Sequence, residues 1–94
     1  MALKLVWTED AVQGMVAIAN YIEFRFGRST AKRLVQRVEK FAVLLSELPS
    51  LGSLQDADRN IRGVIVNKRS TVVYTFNKNS LIILNVFDNR MPLD

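Results

Sequence analysis

Apolar residues recur along the first third of the chain with the period of an α-helix. Apolar residues recur at spacings of three and four after Thr8, whose hydroxyl is suited to accept a hydrogen bond at a helix N-terminus. Gly27 is suited to a helix end, because glycine adopts positive φ without steric cost. The pattern predicts a short strand at Leu3–Trp7 followed by a helix from Thr8 to Gly27. Its apolar positions are Val12, Met15, Val16, Ala19, Ile22 and Phe26.

The next segment has the same period. Ser29 or Thr30 is the predicted cap of this second helix, and Pro49 stops it. Two helices joined by about two residues must lie antiparallel, so the pattern predicts a helical hairpin. The apolar positions of the second helix are Ala31, Leu34, Val35, Val38, Phe41, Ala42, Leu45 and Leu48.

The second half of the chain has strand-like patterns. Three runs rich in β-branched and aromatic residues, Ile61–Val66, Thr71–Phe76 and Leu81–Phe87, predict a three-stranded meander. Leu81–Phe87 is apolar almost throughout, as in a central strand, whereas Pro49–Asn60 is predicted to be a connecting loop. We therefore predict one α+β domain over residues 1–94, ordered strand–helix–helix–three strands, with the hairpin packed on a small, mainly antiparallel sheet.

The amino-acid composition argues against most classes of enzyme for this chain. The 94 residues include no cysteine and no histidine, so the usual nucleophile–base pairs and metal ligands are missing. We expect neither a metal nor a cofactor. No apolar run reaches the roughly 20 residues of a membrane helix, and the start of the chain does not resemble a signal peptide, so we expect a cytoplasmic protein without membrane contact. The formal net charge of +4 favours an anionic partner, either nucleic acid or an acidic protein.

Two groups of cations are candidate binding residues. The first lies at the ends and junctions of the strands and consists of Arg59, Arg62, Lys68, Arg69 and Arg90. Guanidinium groups bind phosphate and can stabilise developing negative charge, so Arg62 and Arg90, with Tyr74 for proton exchange, are candidates for catalysis. The alternative is that these cations only protect a sheet edge from aggregation.

The second group lies on the polar side of the second helix. Arg33, Arg37 and Lys40 share one face at spacings of four and three. A helix side opposite an apolar stripe is normally charged, which is the simpler interpretation. The alternative is that these three cations bind an acidic protein partner.

The chain resembles the RelE/ParE toxins of bacterial type II toxin–antitoxin systems along nearly its whole length. The similarity lies in the order and spacing of several pieces and not in one motif. These pieces are Val6–Thr8 entering the first helix, Leu45–Pro49 and Gly52 after the second, Arg62 opening the sheet, Val73–Tyr74, Leu81–Leu84, and Asp88–Arg90 with Pro92.

The resemblance implies a toxin that is neutralised by a cognate antitoxin. RelE-like members cleave messenger RNA in the ribosome and use cations with a tyrosine or histidine near the C-terminus, whereas ParE-like members poison DNA gyrase and are not hydrolases. This chain ends Met91–Asp94 and has no histidine, which favours the ParE-like branch. A metal-independent endoribonuclease using Arg62, Tyr74 and Arg90 remains an alternative, as does a non-toxic binding module. The net charge of +4 and the moderate hydrophobicity predict an antitoxin segment that covers an apolar groove and pairs its carboxylates with the cations. We predict that the antitoxin binds Arg33, Arg37 and Lys40, and that the target binds the strand-end group Arg59, Arg62, Lys68, Arg69 and Arg90.

Overall fold

The computed structural model describes residues 2–92, and the predicted α+β architecture is confirmed. The sheet has the order β1-β5-β4-β3-β2; β1 and β5 are parallel and all other pairs are antiparallel. β5 is therefore paired on both edges, as its apolar sequence predicts. In chain order the elements are β1 (Lys4–Trp7), α1 (Glu9–Phe26), α2 (Arg28–Glu47), β2 (Ser53–Asp56), β3 (Ile61–Val66), β4 (Ser70–Phe76) and β5 (Ser80–Asp88).

The predicted ends of α1 are confirmed. The hydroxyl of Thr8 accepts a hydrogen bond from the backbone N–H of Ala11 at 3.1 Å, and it lies 3.0 Å from the carbonyl oxygens of Ile83 and Leu84. The cap thus also fixes the start of α1 to β5, an interior strand of the sheet. At the other end Gly27 has φ +98° and donates its N–H to the Glu23 carbonyl.

The predicted cap of α2 is wrong. The helix begins at Arg28, before Ser29 and Thr30, and Gly27 occupies the N-cap position without a side-chain hydrogen bond. Because Gly27 alone reverses the chain, α2 starts directly after α1 ends. Sequence spacing did not indicate so short a connection.

The loop predicted over Pro49–Asn60 is also wrong in part. Ser53–Asp56 forms β2, the edge strand, which pairs with β3 and has an irregularity between Leu54 and Asp56. Its composition is poor for a strand, but backbone pairing with β3 is sufficient at an exposed edge. The sheet therefore has five strands, one more than the sequence predicted.

The core lies between the helical hairpin and one face of the sheet. In β4 the buried residues Ser70, Val72 and Tyr74 alternate with partly buried ones, and their partners on β5 are buried in the same rows. Trp7 is partly buried and packs against this core. The helices contribute Ala11, Met15, Ile18, Ile22, Ala31, Leu34, Val38, Ala42 and Leu45 to the core.

Candidate functional site

The sheet register separates the predicted site residues into two ends of the molecule. Arg62 pairs with Tyr74, whereas Val66, four residues further along β3, pairs with Ser70, which pairs with Asp88. Four strand residues span about 13 Å. Arg90 follows Asp88, so Arg62 and Arg90 belong to opposite ends of the strands and do not share a site.

Arg90 is held in a fixed position by a buried carboxylate. The Asp88 side chain is fully buried and accepts hydrogen bonds from the Arg90 backbone N–H and Nε at 2.9 Å, from Arg90 Nη2 at 2.7 Å and from the Ser70 hydroxyl at 2.7 Å. Burial by itself raises the pKa of Asp88, but the hydrogen bonds from Arg90 and Ser70 outweigh it and hold that pKa below its ordinary value. The same contact raises the pKa of Arg90. The guanidinium is therefore ordered before any partner arrives.

Arg90 lies at a cavity with two arginines of α2. Arg33 and Arg37 are one turn apart on the same helix face, and with Arg90 they line a cavity of about 220 Å³. Its other lining residues are Thr30, Leu34 and Asn67, so no acidic residue within residues 2–92 lines it. We call this site the arginine cavity. Three arginine residues lining one small space favour a carboxylate or phosphate ligand.

An apolar groove adjoins the arginine cavity. Phe41, Leu44 and Val66 line this second cavity, of about 410 Å³, together with Arg37, Lys40 and Asn67. Leu44 is 38% exposed although it is a large apolar side chain. We call this surface the α2 groove. Since it shares Arg37 and Asn67 with the arginine cavity, the two form one continuous surface, apolar at one end and cationic at the other.

Tyr74 and Arg62 form contacts with a turn. The Tyr74 side chain is fully buried; its hydroxyl donates to the Pro49 carbonyl at 2.7 Å and accepts from the Gly52 N–H at 2.8 Å. Burial raises the pKa of Tyr74, and the Gly52 hydrogen bond and the nearby Arg62 only partly oppose this. Arg62 Nη1 donates to the carbonyls of Gly52 at 2.8 Å and Ser50 at 3.3 Å. These contacts support a structural role, holding the connection between α2 and β2.

Gly52 is required at this turn. A Cβ atom at this position would lie 2.7 Å from the Tyr74 hydroxyl and 2.9 Å from the Gly63 carbonyl oxygen. Only a glycine allows the backbone to approach Tyr74 this closely.

The remaining predicted cations are exposed. Arg59 lies at the Arg62 end and forms a surface ion pair with Asp56 at 3.7 Å. Lys68 and Arg69 lie in the β3–β4 turn, where Asn67 and Lys68 have φ of +56° and +67°. Three residues, Asn67 to Arg69, connect the paired strand ends Val66 and Ser70, and positive φ values are common in such short hairpin connections. This turn brings Lys68 and Arg69 to the same end of the sheet as Arg90.

Sequence reasoning missed three contributors to this surface. Asp88 had a local signal, because a carboxylate two residues before an arginine can accept from that residue's backbone N–H. Ser70 had none, since it lies 18 positions from Asp88 and meets it only through the β4–β5 register. Asn67 joins the cavity because the β3–β4 turn ends beside α2.

Two further findings restrict the chemistry of the described residues. No group of three or more acidic, histidine or cysteine side chains within residues 2–92 could hold a metal ion. Neither α1 nor α2, the helices of that range, is long and apolar enough to cross a membrane.

Comparison with known proteins gives a family model and solved structures. The family model described as "ParE toxin of type II toxin-antitoxin system, parDE" matches residues 5–93. Among solved structures, a chain of the "Chromosomal ParDE TA system from P. aeruginosa" matches with a TM-score of 0.79 and 17% identity, over 93% of this chain and 96% of that one. At that identity the likeness shows a shared fold. No curated protein matches the chain.

Proposed function

This chain belongs to the ParE toxin family of type II toxin–antitoxin systems, and from that premise we propose that it poisons DNA gyrase by binding it, until a cognate antitoxin occupies the α2 groove and the arginine cavity. An antitoxin partner follows from the family itself. The gyrase target and the site of neutralisation are the proposal. The observation that carries the site of neutralisation is the convergence of Arg33, Arg37 and Arg90 at the cationic end of an apolar groove. The gyrase target is proposed from membership of the family.

The chemistry of this surface favours an acidic amphipathic segment. Its apolar side chains would pack on Phe41, Leu44 and Val66, which excludes water from the groove. Its carboxylates would enter the arginine cavity, where Arg90 is already ordered by Asp88. A preorganised arginine loses little side-chain entropy on binding, so each charge-assisted hydrogen bond contributes more to affinity. A segment of this composition would be disordered when free and fold on binding.

Binding without hydrolysis is supported by the positions of the candidate catalytic residues. A ribonuclease site needs a group that exchanges protons near pH 7 beside the cations. Tyr74 is buried with both hydrogen-bonding positions used by the backbone, and its pKa is raised. Arginine itself stays protonated, so Arg33, Arg37 and Arg90 are suited to bind anions and not to transfer protons.

The antitoxin part is tested by co-purification with the product of the adjacent reading frame, followed by titration. We expect Arg33→Gln and Arg37→Gln each to weaken the complex by about tenfold to a hundredfold, as for the loss of one charge-assisted pair. Arg59→Gln is the matched control, because Arg59 is an exposed arginine at the opposite end of the sheet. Equal affinity of all three variants would show that neutralisation occurs elsewhere.

The target part is tested by controlled expression in a bacterial host with three simultaneous measurements: growth, messenger RNA integrity and the DNA damage response. Growth arrest with intact messages and an induced damage response is expected, together with inhibition of purified gyrase. Arrest with messages cut in the ribosome would favour the ribonuclease alternative. No arrest would leave a binding module with a toxin fold.

A further inference from the structure

The cations around the arginine cavity continue onto neighbouring parts of the molecule. Those of α2 are exposed, and Lys40 extends them into the adjoining α2 groove. The β3–β4 turn is bonded to the segment after β5, because Asn89 donates its backbone N–H to the Arg69 carbonyl at 2.8 Å and its side-chain N–H to the Lys68 carbonyl at 3.4 Å. We call six residues the cationic surface: Arg33, Arg37, Lys40, Lys68, Arg69 and Arg90.

Most of the cationic surface has no acidic partner within the described protein. The ion pairs within residues 2–92 join Arg59 to Asp56 and Arg90 to Asp88. Neither pair includes a cation of α2 or of the β3–β4 turn. Glu39, which is also on α2, lines two cavities on the side towards α1. The positive charge of the surface is therefore available to an anionic ligand from outside.

The proposed function requires this surface to have a ligand besides the antitoxin. An antitoxin that neutralises by occupying a surface covers something that the toxin uses. The other ligand must then share the anionic character of the antitoxin's carboxylates. Gyrase acts on duplex DNA, whose two strands together carry one negative charge for about every 1.7 Å of the helix axis.

We propose that the cationic surface binds backbone phosphates of duplex DNA, so that the toxin contacts the DNA on which gyrase acts. This inference rests on the proposed function, because the choice of DNA follows from the gyrase target. Arginine pairs with phosphate through the same charge-assisted hydrogen bonds as with carboxylate. Antitoxin carboxylates would therefore occupy the positions of the phosphates, and the two ligands exclude each other.

The residues of the surface are those that commonly contact a DNA backbone. Arg33 and Lys40 are seven residues apart on one helix, or about 10 Å along its axis. Each DNA strand has a phosphate about every 3.4 Å of axis, so this row is long enough to contact more than one. Thr30 and Asn67, which also line the arginine cavity, carry hydroxyl and amide groups that bind phosphate oxygens. Contacts with phosphates alone carry no sequence preference.

The test is fluorescence anisotropy of a labelled duplex of about 20 base pairs titrated with the purified chain. We expect a dissociation constant of about 1–100 μM at low salt, rising steeply with salt concentration. In Arg37→Gln the slope of log affinity against log salt should become shallower by about one, as for the loss of one phosphate contact. Arg59→Gln is the matched control, because it removes the same charge at the opposite end of the sheet. Circular dichroism checks that each variant folds.

A variant of the α2 groove separates DNA binding from antitoxin binding. Leu44 is an apolar residue of the groove, and DNA phosphates have no apolar group to place there. Leu44→Ser should therefore weaken the antitoxin complex and leave DNA binding unchanged, whereas Arg37→Gln should weaken both. Inorganic phosphate should displace the duplex more effectively than chloride at equal ionic strength, and this advantage should disappear in Arg37→Gln.

Three results would overturn the inference. One is the absence of DNA binding at about 100 μM chain in low salt. Another is an equal loss of affinity in Arg37→Gln and Arg59→Gln, since net charge alone would then explain binding. The third is tighter binding to an unpaired strand of the same length. A chain that inhibits purified gyrase without binding DNA would overturn this inference and leave the gyrase target intact. DNA binding without inhibition of gyrase would support the DNA contact and overturn the target.

Discussion

At the scale of single residues, Arg62 and Arg90 show how arginines at opposite ends of one sheet acquire different roles. Arg62 donates to two carbonyls of the turn after α2, whereas Arg90 is fixed by Asp88 beside two further arginines. Arg62 uses only Nη1 in these bonds, and its buried Nε has no hydrogen-bond partner. Arg90 uses Nε and Nη2 on Asp88, and it differs from Arg62 in lining a cavity with two further arginines.

Asp88→Asn tests the contact that orders Arg90. The amide cannot accept from all the donors that the carboxylate serves, so we expect a loss of about 2–3 kcal/mol in the free energy of unfolding at pH 7. The pKa of Asp88 is lowered in the folded state, so its ionised form stabilises the fold above the unfolded-state pKa near 3.9. This contribution disappears as the pH falls below about 4 through the folded-state pKa.

Urea unfolding between pH 7 and pH 3 measures both effects. The wild-type chain should lose more stability on acidification than Asp88→Asn. Asp56→Asn is the control, because Asp56 contacts only the exposed Arg59, through an ion pair and a hydrogen bond from the Arg59 backbone N–H. An identical pH dependence of wild type and Asp88→Asn would contradict the assigned pKa direction.

Tyr74→Phe separates structure from catalysis. We expect a loss of about 1–3 kcal/mol, because the buried Gly52 N–H and the Pro49 carbonyl lose their partner. The raised pKa of Tyr74 means that its neutral form stabilises the fold below about pH 10, an effect lost as the pH rises through the folded-state pKa. Chemical unfolding at pH 7 and pH 11 measures the loss of unfolding free energy, with Tyr21→Phe as control.

Expression of Tyr74→Phe in a bacterial host should still arrest growth. Loss of growth arrest with an unchanged free energy of unfolding would restore the catalytic assignment of Tyr74.

At the scale of elements, α1 approaches β5 closely because of one missing side chain. A Cβ atom at Gly14 would lie 2.8 Å from the Asn85 side-chain oxygen and 3.0 Å from the Val86 carbonyl oxygen. Asn85 lies where the β4–β5 register shifts. Gly14 thus lets the helix lie against an irregular part of the central strand.

Gly14→Ala should therefore be destabilising by about 1–2 kcal/mol, although alanine is normally favoured over glycine inside a helix by about 1 kcal/mol. Thermal and urea unfolding show whether Gly14→Ala lowers or raises the free energy of unfolding. Gly14→Ala with Asn85→Ala should recover part of the loss, since the nearest clashing atom is removed. A Gly14→Ala variant more stable than wild type would show that helix and strand separate easily.

At the scale of the whole molecule, charge is distributed by surface. One end of the molecule carries Arg33, Arg37 and Arg90 with the β3–β4 turn cations, whereas no residue of α1 from Ala11 to Ile22 is charged. This distribution makes the arginine cavity the side of the molecule suited to an anionic partner.

Salt dependence measures the cationic side. We expect the association rate with an acidic antitoxin to fall about tenfold or more between low and 0.5 M salt, because ions screen long-range attraction. In the double variant Arg33→Gln and Arg37→Gln, the association rate should depend less steeply on salt concentration. In Arg59→Gln, the salt dependence should be the same as in the wild type. Stopped-flow or surface-binding kinetics provide the rates. A wild-type rate that is independent of salt would contradict electrostatic steering.

The sequence by itself determined the elements whose signals are local. The three-and-four spacing in α1 and α2, the cap at Thr8, the end at Gly27 and the apolar run of β5 each depend on residues within a few positions. The order of these elements was sufficient for the fold class and for the family resemblance. The weakest local signals produced the two errors, the start of α2 and the edge strand β2.

Only the tertiary structure decided which distant residues meet. The register of β3, β4 and β5 placed Arg62 and Arg90 at opposite ends, and the packing of α2 beside the β3–β4 turn joined Arg90 to Arg33 and Arg37. Register follows from the pairing of whole strands and from bulges such as the one near Asn85, and no single residue encodes it. The sequence determined which residues carry charge; the pairing of the strands determined which of those charges form a site.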